Sequence, residues 1–116
     1  MILVKTTTGP SKIQGTGLFA DEFIPKGTDI WRFSPDVDTA QDEPADLHFA
    51  YISKQTGKYI IPGDDSEFIN HSDNPNIGTR YEKGVPEDIN FALRDIAKGE
   101  ELTLDYRSFA QEGVDF

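Results

Sequence analysis

The chain has no cysteine, only two histidines and a single methionine among its 116 residues. Without cysteine, neither a disulfide framework nor a thiolate zinc site can form. His48 and His71 lie far apart in the sequence, so no metal site is expected. No apolar run reaches the roughly 18 residues of a membrane span, and the short apolar start at residues 1–4 is too brief for a signal-peptide core. We therefore expect no membrane partner and a soluble, intracellular protein, cytoplasmic if the source is bacterial; the alternative is a protein secreted to a host or acting in one.

Basic residues are also scarce relative to acidic ones. Eleven Lys and Arg stand against 21 Asp and Glu, which gives a formal net charge of −10. A surface this acidic repels nucleic-acid phosphates, so no direct nucleic-acid partner is expected. The charge has two interpretations: it serves solubility alone, or its field attracts a lysine- or arginine-rich peptide.

The length and the turn residues indicate one domain made of many short strands. Proline- and glycine-containing turns fall at residues 25–27, 61–63 and 98–99. Strands are predicted at residues 3–6, 17–20, 28–33, 58–61, 77–81, 89–93 and 102–106. Residues 34–43 are rich in acidic residues and proline and predict a loop, whereas the helical spacing of Leu47, Ala50 and Tyr51 predicts one short helix over residues 46–52.

Three sequence blocks carry the chemical information. Residues 15–20 (GTGLFA) contain a glycine pair, which lets a backbone approach a ligand closely but, taken alone, more often marks a turn. Residues 68–76 (FINHSDNPN) are polar and, taken alone, indicate another turn. Residues 100–106 (EELTLDY) have the pattern of a charged turn followed by a buried strand. Each block is weak evidence for a site, and only their combination is specific.

In this order and spacing, the three blocks resemble those of the SET-domain protein-lysine methyltransferases. The resemblance covers roughly residues 7–109, with a less similar stretch between residues 34 and 59. It implies a mostly β, β-clip-like SET fold of several small sheets, with little helix and a knot-like crossing of the Asn70 loop and the C-terminal segment. One SET domain is expected to occupy residues 1–116, without the cysteine-rich modules that flank many members.

The resemblance implies transfer of a methyl group from S-adenosyl-L-methionine to a lysine of a basic, histone-like protein or peptide. The alternative is a non-catalytic module of the same fold that binds the cofactor or a basic peptide. In the family, the glycine block cradles the methionine end of the cofactor, and the Asn-His motif meets its amino-acid and adenine ends. Cofactor binding is accordingly assigned to Gly15, Thr16, Gly17, Leu18, Asn70 and His71.

The closing tyrosine of the third block is catalytic in the family, and Tyr106 inherits that role. A narrow channel would strip water from the substrate lysine and lower its pKa, while the phenol oxygen orients the reacting groups. Phe33 is placed with Tyr106 on the wall of this channel, and core packing is the alternative for it. Phe109 is assigned to cover the cofactor's adenine; Phe116 could take that place instead, and either ring could simply pack in the core.

The chain departs from the family pattern at several positions. Asp64 stands where the family often has asparagine, Glu67 stands where it often has arginine, and Thr79 is small where some members place a channel tyrosine. These 116 residues contain no cysteine, so we expect no contribution to the lysine channel from the cysteine-rich module that often completes it. Because an open apolar cleft is costly, we expect a homodimer with the C-terminal tail near the interface; the alternative is a monomer whose substrate peptide completes the channel.

Overall fold

The computed structural model describes residues 1–42, 51–85 and 87–108. Within these ranges the chain forms short strands in three sheets, with two short 3-10 helices and no helix long and apolar enough to cross a membrane. The predicted mostly β fold of several small sheets is therefore confirmed. The strands are β1 (Thr6–Pro10), β2 (Thr16–Ala20), β3 (Asp29–Arg32), β4 (Thr39–Gln41), β5 (Tyr51–Ile52), β6 (Tyr59–Ile61), β7 (Asn70–His71), β8 (Ile77–Arg80), β9 (Ile89–Ala92) and β10 (Thr103–Leu104), and the helices are η1 (Asp65–Phe68) and η2 (Tyr106–Ser108).

A five-stranded sheet in the order β3-β9-β8-β10-β7 is the centre of the fold. Its β3, β9 and β8 are antiparallel, whereas β10 runs parallel to both of its neighbours. The hairpin β1-β2 forms a second sheet, and the strands β4-β6-β5 form a third. The hairpin is fastened to the segment before β10, because the Leu102 amide donates to the Leu18 carbonyl at 2.8 Å. The first sequence block thereby lies against the third.

The predicted crossing of the Asn70 loop and the C-terminal segment lies at β10. This strand is inserted between β7 and β8, with Thr103 opposite Asn70 and Leu104 opposite Ile77. Only residues 72–76 connect β7 to β8, so this short connection has to pass across β10. Asn76 fastens the crossing, since its side-chain oxygen accepts the Thr103 amide at 2.9 Å and its side-chain nitrogen donates to the Glu101 carbonyl at 2.8 Å.

The core is made mainly of isoleucine and leucine side chains from β2, β3, β8 and the segments before β3 and β10. Burying one such side chain stabilises the fold by about 1.5–3 kcal/mol, so the core is the main force that holds the hairpin against the central sheet. Its fully buried members are Leu18, Ala20, Ile24, Ile30, Ile77, Ala92, Ile96 and Leu102.

Two predictions from local sequence were wrong in the region that forms the third sheet. Residues 34–43 were expected to be a loop, but Thr39–Gln41 form β4, paired with β6. The predicted helix over residues 46–52 is also wrong at its end, because Tyr51 and Ile52 form β5; its residues 46–50 lie outside the described ranges. Both strands depend on pairing with β6, and neither shows a strand pattern of its own.

Two strand boundaries also differ from the prediction. The first strand was expected at residues 3–6, whereas β1 begins at Thr6 and ends at Pro10, in the register that the hairpin with β2 imposes. The last strand was expected to continue through Tyr106, but β10 ends at Leu104. There the Asp105 carboxylate accepts the Arg107 amide at 3.0 Å. This is the contact that starts a helical turn, so Tyr106 begins η2.

Candidate active site

Asn70 joins the three sequence blocks. From β7, its side-chain nitrogen lies within hydrogen-bond distance of four oxygens: the Ser11 hydroxyl (3.0 Å), the carbonyls of Gln14 (3.2 Å) and Thr16 (3.5 Å), and the Glu101 carboxylate (3.0 Å). A primary amide nitrogen carries only two protons. The acceptors therefore outnumber the protons that Asn70 can give them, and the site around this nitrogen is rich in oxygen atoms.

Gly17 and Glu101 are in close contact beside Asn70. A Cβ on Gly17 would stand 2.7 Å from Glu101 Oε2 and 3.0 Å from Ser11 Cβ. The Ser11 hydroxyl lies 2.8 and 2.9 Å from the two carboxylate oxygens of Glu101. A larger residue at position 17 would require the Glu101 side chain to shift, because this carboxylate packs against the backbone there. Ser11 and Glu101 are site residues that the sequence analysis missed; Glu101 belongs to the third block, but nothing local marks Ser11.

The other residues of the glycine block differ in exposure. Gly15 has a φ of +49°, the left-handed region that glycine tolerates, and a Cβ there would meet nothing within 4 Å. Its carbonyl accepts the Ser11 amide at 2.8 Å and closes the hairpin turn, and Thr16 beside it is exposed. The Leu18 side chain, in contrast, is fully buried in the core. A ligand could therefore reach Gly15 and Thr16, but not the side chain of Leu18.

His71 contacts Tyr106 through both backbone and ring. The Tyr106 amide donates to His71 Nδ1 at 3.1 Å, and the two ring centroids lie 5.3 Å apart in an edge-to-face arrangement. Because Nδ1 accepts a hydrogen bond, the neutral ring carries its proton on Nε2, which lies 3.3 Å from Asp73 Oδ1. His71 thus helps to place the Tyr106 backbone.

The Tyr106 side chain reaches the residue just before β7. Its hydroxyl donates to the Ile69 carbonyl, so the third block is joined to the second at the proposed catalytic atom. Burial raises the pKa of the Tyr106 phenol. The phenol is therefore protonated at neutral pH and acts as a hydroxyl, with a proton to donate and lone pairs to accept.

A cleft of about 50 Å³ opens next to Ile69. Two buried polar atoms of its lining residues, Trp31 Nε1 and Ser66 Oγ, have no hydrogen-bond partner within the described part of the chain. Phe33, which was predicted for the channel wall, is half-buried just after β3 and does not line this cleft. Phe109 and Phe116 lie outside the described residues. The lining residues are Trp31, Tyr51, Pro62, Ser66, Ile69, Asn90 and Leu104.

Two buried carboxylates stand at the start of β9, near Tyr51 of the cleft. Burial raises the pKa of Asp88 to about 6, and the neighbouring Glu87 charge adds to the shift. Burial, followed by the charges of Asp88 and Glu87, also raises the pKa of Tyr51. The Thr56 hydroxyl donates to Glu87 at 2.9 Å. Among the described residues no group of three or more side chains is arranged to hold a metal ion.

Comparisons of the sequence with family models and with curated proteins agree on one protein family. The sequence model of the SET domain matches residues 15–107. A Schizosaccharomyces pombe protein named "Histone-lysine N-methyltransferase, H3 lysine-36 specific" is 33% identical over 112 residues, which cover 80% of this chain and 13% of that protein. The Drosophila melanogaster "Histone-lysine N-methyltransferase trr" is 35% identical over 113 residues, which cover 84% of this chain and 4% of that protein. The chain thus spans a small part of the length of these relatives.

A solved structure shows the same fold. It is a Plasmodium falciparum protein provisionally named a histone methyltransferase, with a TM-score of 0.63 and 23% identity, and the match covers 90% of this chain and 95% of that one. Sequence and fold therefore agree, and the resemblance predicted from the three blocks is confirmed.

Proposed function

Because this chain belongs to the SET-domain family, we propose that it is an S-adenosyl-L-methionine-dependent methyltransferase that modifies lysine side chains of a basic, histone-like protein or peptide. The observation that carries the proposal is the convergence of the three blocks: Asn70 contacts the glycine block and Glu101, while His71 and Ile69 contact Tyr106. The relatives support the reaction class, since their names specify histone lysines.

The residues around Asn70 fit the cofactor that this reaction needs. S-adenosyl-L-methionine, when bound, supplies a methyl group activated by its sulfonium. Its amino-acid end carries an ammonium group, and the oxygen-rich surroundings of the Asn70 nitrogen, with the Thr16 carbonyl and the Glu101 carboxylate, favour a cation there. The open space at Gly15 allows a ligand to approach the backbone. We propose that Gly15, Thr16, Gly17, Asn70 and His71 hold the cofactor, and that Phe109 covers its adenine.

Tyr106 is proposed to orient the reacting amine. Its hydroxyl proton is directed to the Ile69 carbonyl, and a hydroxyl oxygen that donates its proton can still accept an N–H. An amine held in this way directs its lone pair away from Tyr106. Positioning of this kind, without covalent catalysis, can supply a large part of a rate enhancement.

The cleft beside Ile69 is the proposed path of the lysine side chain. Its wall includes the aromatic and apolar side chains of Trp31 and Leu104, and an amine that loses water against such a wall would favour its neutral, reactive form. Because Trp31 lines this cleft and Phe33 does not, we propose Trp31 as the aromatic wall residue of the path. The net charge of −10 would draw a basic substrate towards the protein.

The experiment that tests this function follows tritium from S-adenosyl-L-methionine labelled in its methyl group into a mixture of core histones, with an acidic protein as the control substrate. We expect label in the histones and little in the acidic protein. Calorimetry with S-adenosylhomocysteine is run in parallel. Binding without label transfer would support the non-catalytic alternative, and an absence of binding would refute the proposed use of the cofactor.

A further inference from the structure

A chain of three polar side chains crosses the central sheet and ends beside the proposed catalytic tyrosine. Asn90 on β9 is 4% exposed and lies opposite Thr79 on β8. Its side-chain nitrogen lies 3.1 Å from the Thr79 hydroxyl, which lies 2.7 Å from the Ser108 hydroxyl. Ser108 in turn donates to the carbonyl of Asp105 at 2.7 Å. The three side chains come from β9, β8 and η2. Strands β8 and β9 are already paired through their backbones, so the contact between Thr79 and Ser108 is the one that joins the sheet to η2.

The direction of these hydrogen bonds is determined by proton count. The Asp105 carbonyl can only accept, so the Ser108 hydroxyl uses its single proton there. Thr79 must then donate to Ser108, and the Thr79 oxygen accepts from the Asn90 amide. Every proton points towards Asp105, and hydrogen bonds arranged in series strengthen one another. The chain therefore has one consistent arrangement, which a substitution at its centre would interrupt.

The far end of this chain is the segment that carries Tyr106. A 3-10 helix of three residues has almost no internal hydrogen bonding, so side chains from elsewhere fix the position of η2. Besides the Thr79 contact, the Tyr81 hydroxyl donates to the Ser108 carbonyl at 3.0 Å, and the Lys54 ammonium donates to the Arg107 carbonyl. Ser108 is thus held by Thr79 of β8 and by Tyr81, the residue that follows β8.

We propose that Thr79 and Ser108 are positioning residues for catalysis: through η2 they hold the Tyr106 hydroxyl at the Ile69 carbonyl. The proposal rests on the proposed methyltransferase function for its kinetic consequence, but not for its structural one. It gives Thr79 a task other than lining the channel, because its hydroxyl is engaged with both Asn90 and Ser108.

The test replaces Thr79 by valine, which keeps the shape and removes the hydroxyl. Single-turnover methyl transfer should slow by about tenfold to a hundredfold, the scale of a small misplacement of a reacting group, while the affinity for S-adenosylhomocysteine stays at the parental value. Thr79→Ser retains the hydroxyl and should restore the rate. Thr6→Val is the matched control, since Thr6 is also a half-buried strand threonine but has no part in the polar chain.

A spectroscopic readout tests the positioning itself. In protein labelled at tyrosine Cζ, Tyr106→Phe identifies the Tyr106 resonance among the four tyrosines. Thr79→Val should shift this resonance, and Thr6→Val should not. If Thr79→Val does not fold, Ser108→Ala removes the last link of the polar chain and takes its place.

Each outcome decides the proposal. A slower rate together with a shifted Tyr106 resonance, both reversed in Thr79→Ser, supports it. An unshifted resonance overturns it, whether or not the rate falls, because Thr79 would then act elsewhere. If the parental protein transfers no methyl group, the proposed function fails, and the resonance alone decides whether the polar chain positions Tyr106.

Discussion

Replacing Asn70 by aspartate is the most informative single change at the site. The substitution keeps the size of the side chain but exchanges the donating nitrogen for a carboxylate oxygen. In the parental protein this nitrogen lies 3.0 Å from Glu101 Oε2 and faces the Thr16 carbonyl at 3.5 Å. Aspartate would place a negative charge beside the Glu101 carboxylate and two carbonyl oxygens, where the Ser11 hydroxyl supplies a single proton. We expect the variant to be destabilised and to bind S-adenosylhomocysteine more weakly or not at all.

The size of the effect follows from the distance. Two unit charges 3.0 Å apart repel by roughly 1 to 5 kcal/mol, from fully water-like screening to the effective dielectric constant of a protein surface. Loss of the charge-assisted hydrogen bond from the amide adds about 1.5–3 kcal/mol. Because Asn70 and Glu101 are both half-buried, side-chain movement relieves part of this destabilisation. A decrease of about 2–5 kcal/mol in the free energy of unfolding is expected.

Urea unfolding measures this decrease, and Asn74→Asp is the matched control, since Asn74 is an exposed asparagine of the loop that follows β7. The loss in Asn70→Asp should shrink as the pH falls from about 7 to about 5, because protonation of one carboxyl of the pair removes the repulsion. The double variant Asn70→Asp/Glu101→Gln should recover much of the stability. If Asn70→Asp is as stable as Asn74→Asp at neutral pH, the Asn70 nitrogen does not lie among the acceptors described for it.

Three further predictions concern pH and assembly. Burial raises the pKa of Asp88 to about 6, against about 3.9 in an unfolded chain. The free energy of unfolding should therefore decrease by up to about 3 kcal/mol as the pH rises from about 4 to about 6. Asp88→Asn should flatten that part of the urea-unfolding profile, and an unchanged slope would contradict the assignment. Methyl transfer should speed up with pH in the alkaline range because only a neutral amine attacks; a flat single-turnover profile would contradict this. We also predict a homodimer in light scattering, of twice the 13.0 kDa chain mass; a monomer that methylates a peptide efficiently would rule out a need for dimerisation.

The central strands could be predicted from the sequence because their residues carry a local pattern. The strands around Leu18, Ile30, Ile60, Ile77 and Ile89 have apolar residues between turn residues, and each was found within a residue or two of its expected bounds. Strands β4, β5 and β7 were missed. They are two or three residues long, and their conformation depends on distant partners such as β6 and β10. A local pattern cannot indicate such pairing.

The site was predictable where chemistry and family pattern coincide. The blocks that contain Gly17, Asn70 and Tyr106 were expected to meet, and the described contacts bring them together. The contact between Ser11 and Glu101 was not predictable, because it joins residues 90 positions apart and Ser11 is an ordinary turn residue in the sequence. The Glu101 carboxylate packs against Gly17, a contact that the glycine pair in the sequence did not indicate.

The turn that begins at Tyr106 could not be predicted from the sequence either. The apolar pattern of residues 102–106 indicated a continuous strand, but the Asp105 carboxylate caps the Arg107 amide and starts η2. Sequence alone showed an aspartate before the tyrosine without showing which backbone group it would bind. We propose that the orientation of Tyr106 towards Ile69 depends on this cap and on the contacts of Ser108.

The most direct test of the account is a single-turnover reaction of Tyr106→Phe beside the parental protein, with methylated lysine in the histone substrate identified by mass spectrometry. Only the hydroxyl that donates to Ile69 is removed in this variant. We predict methyl groups on lysine Nζ with the parental protein, and a much slower transfer by the variant at unchanged affinity for S-adenosylhomocysteine. Equal rates for the two proteins, or methylation of a residue other than lysine, would contradict it.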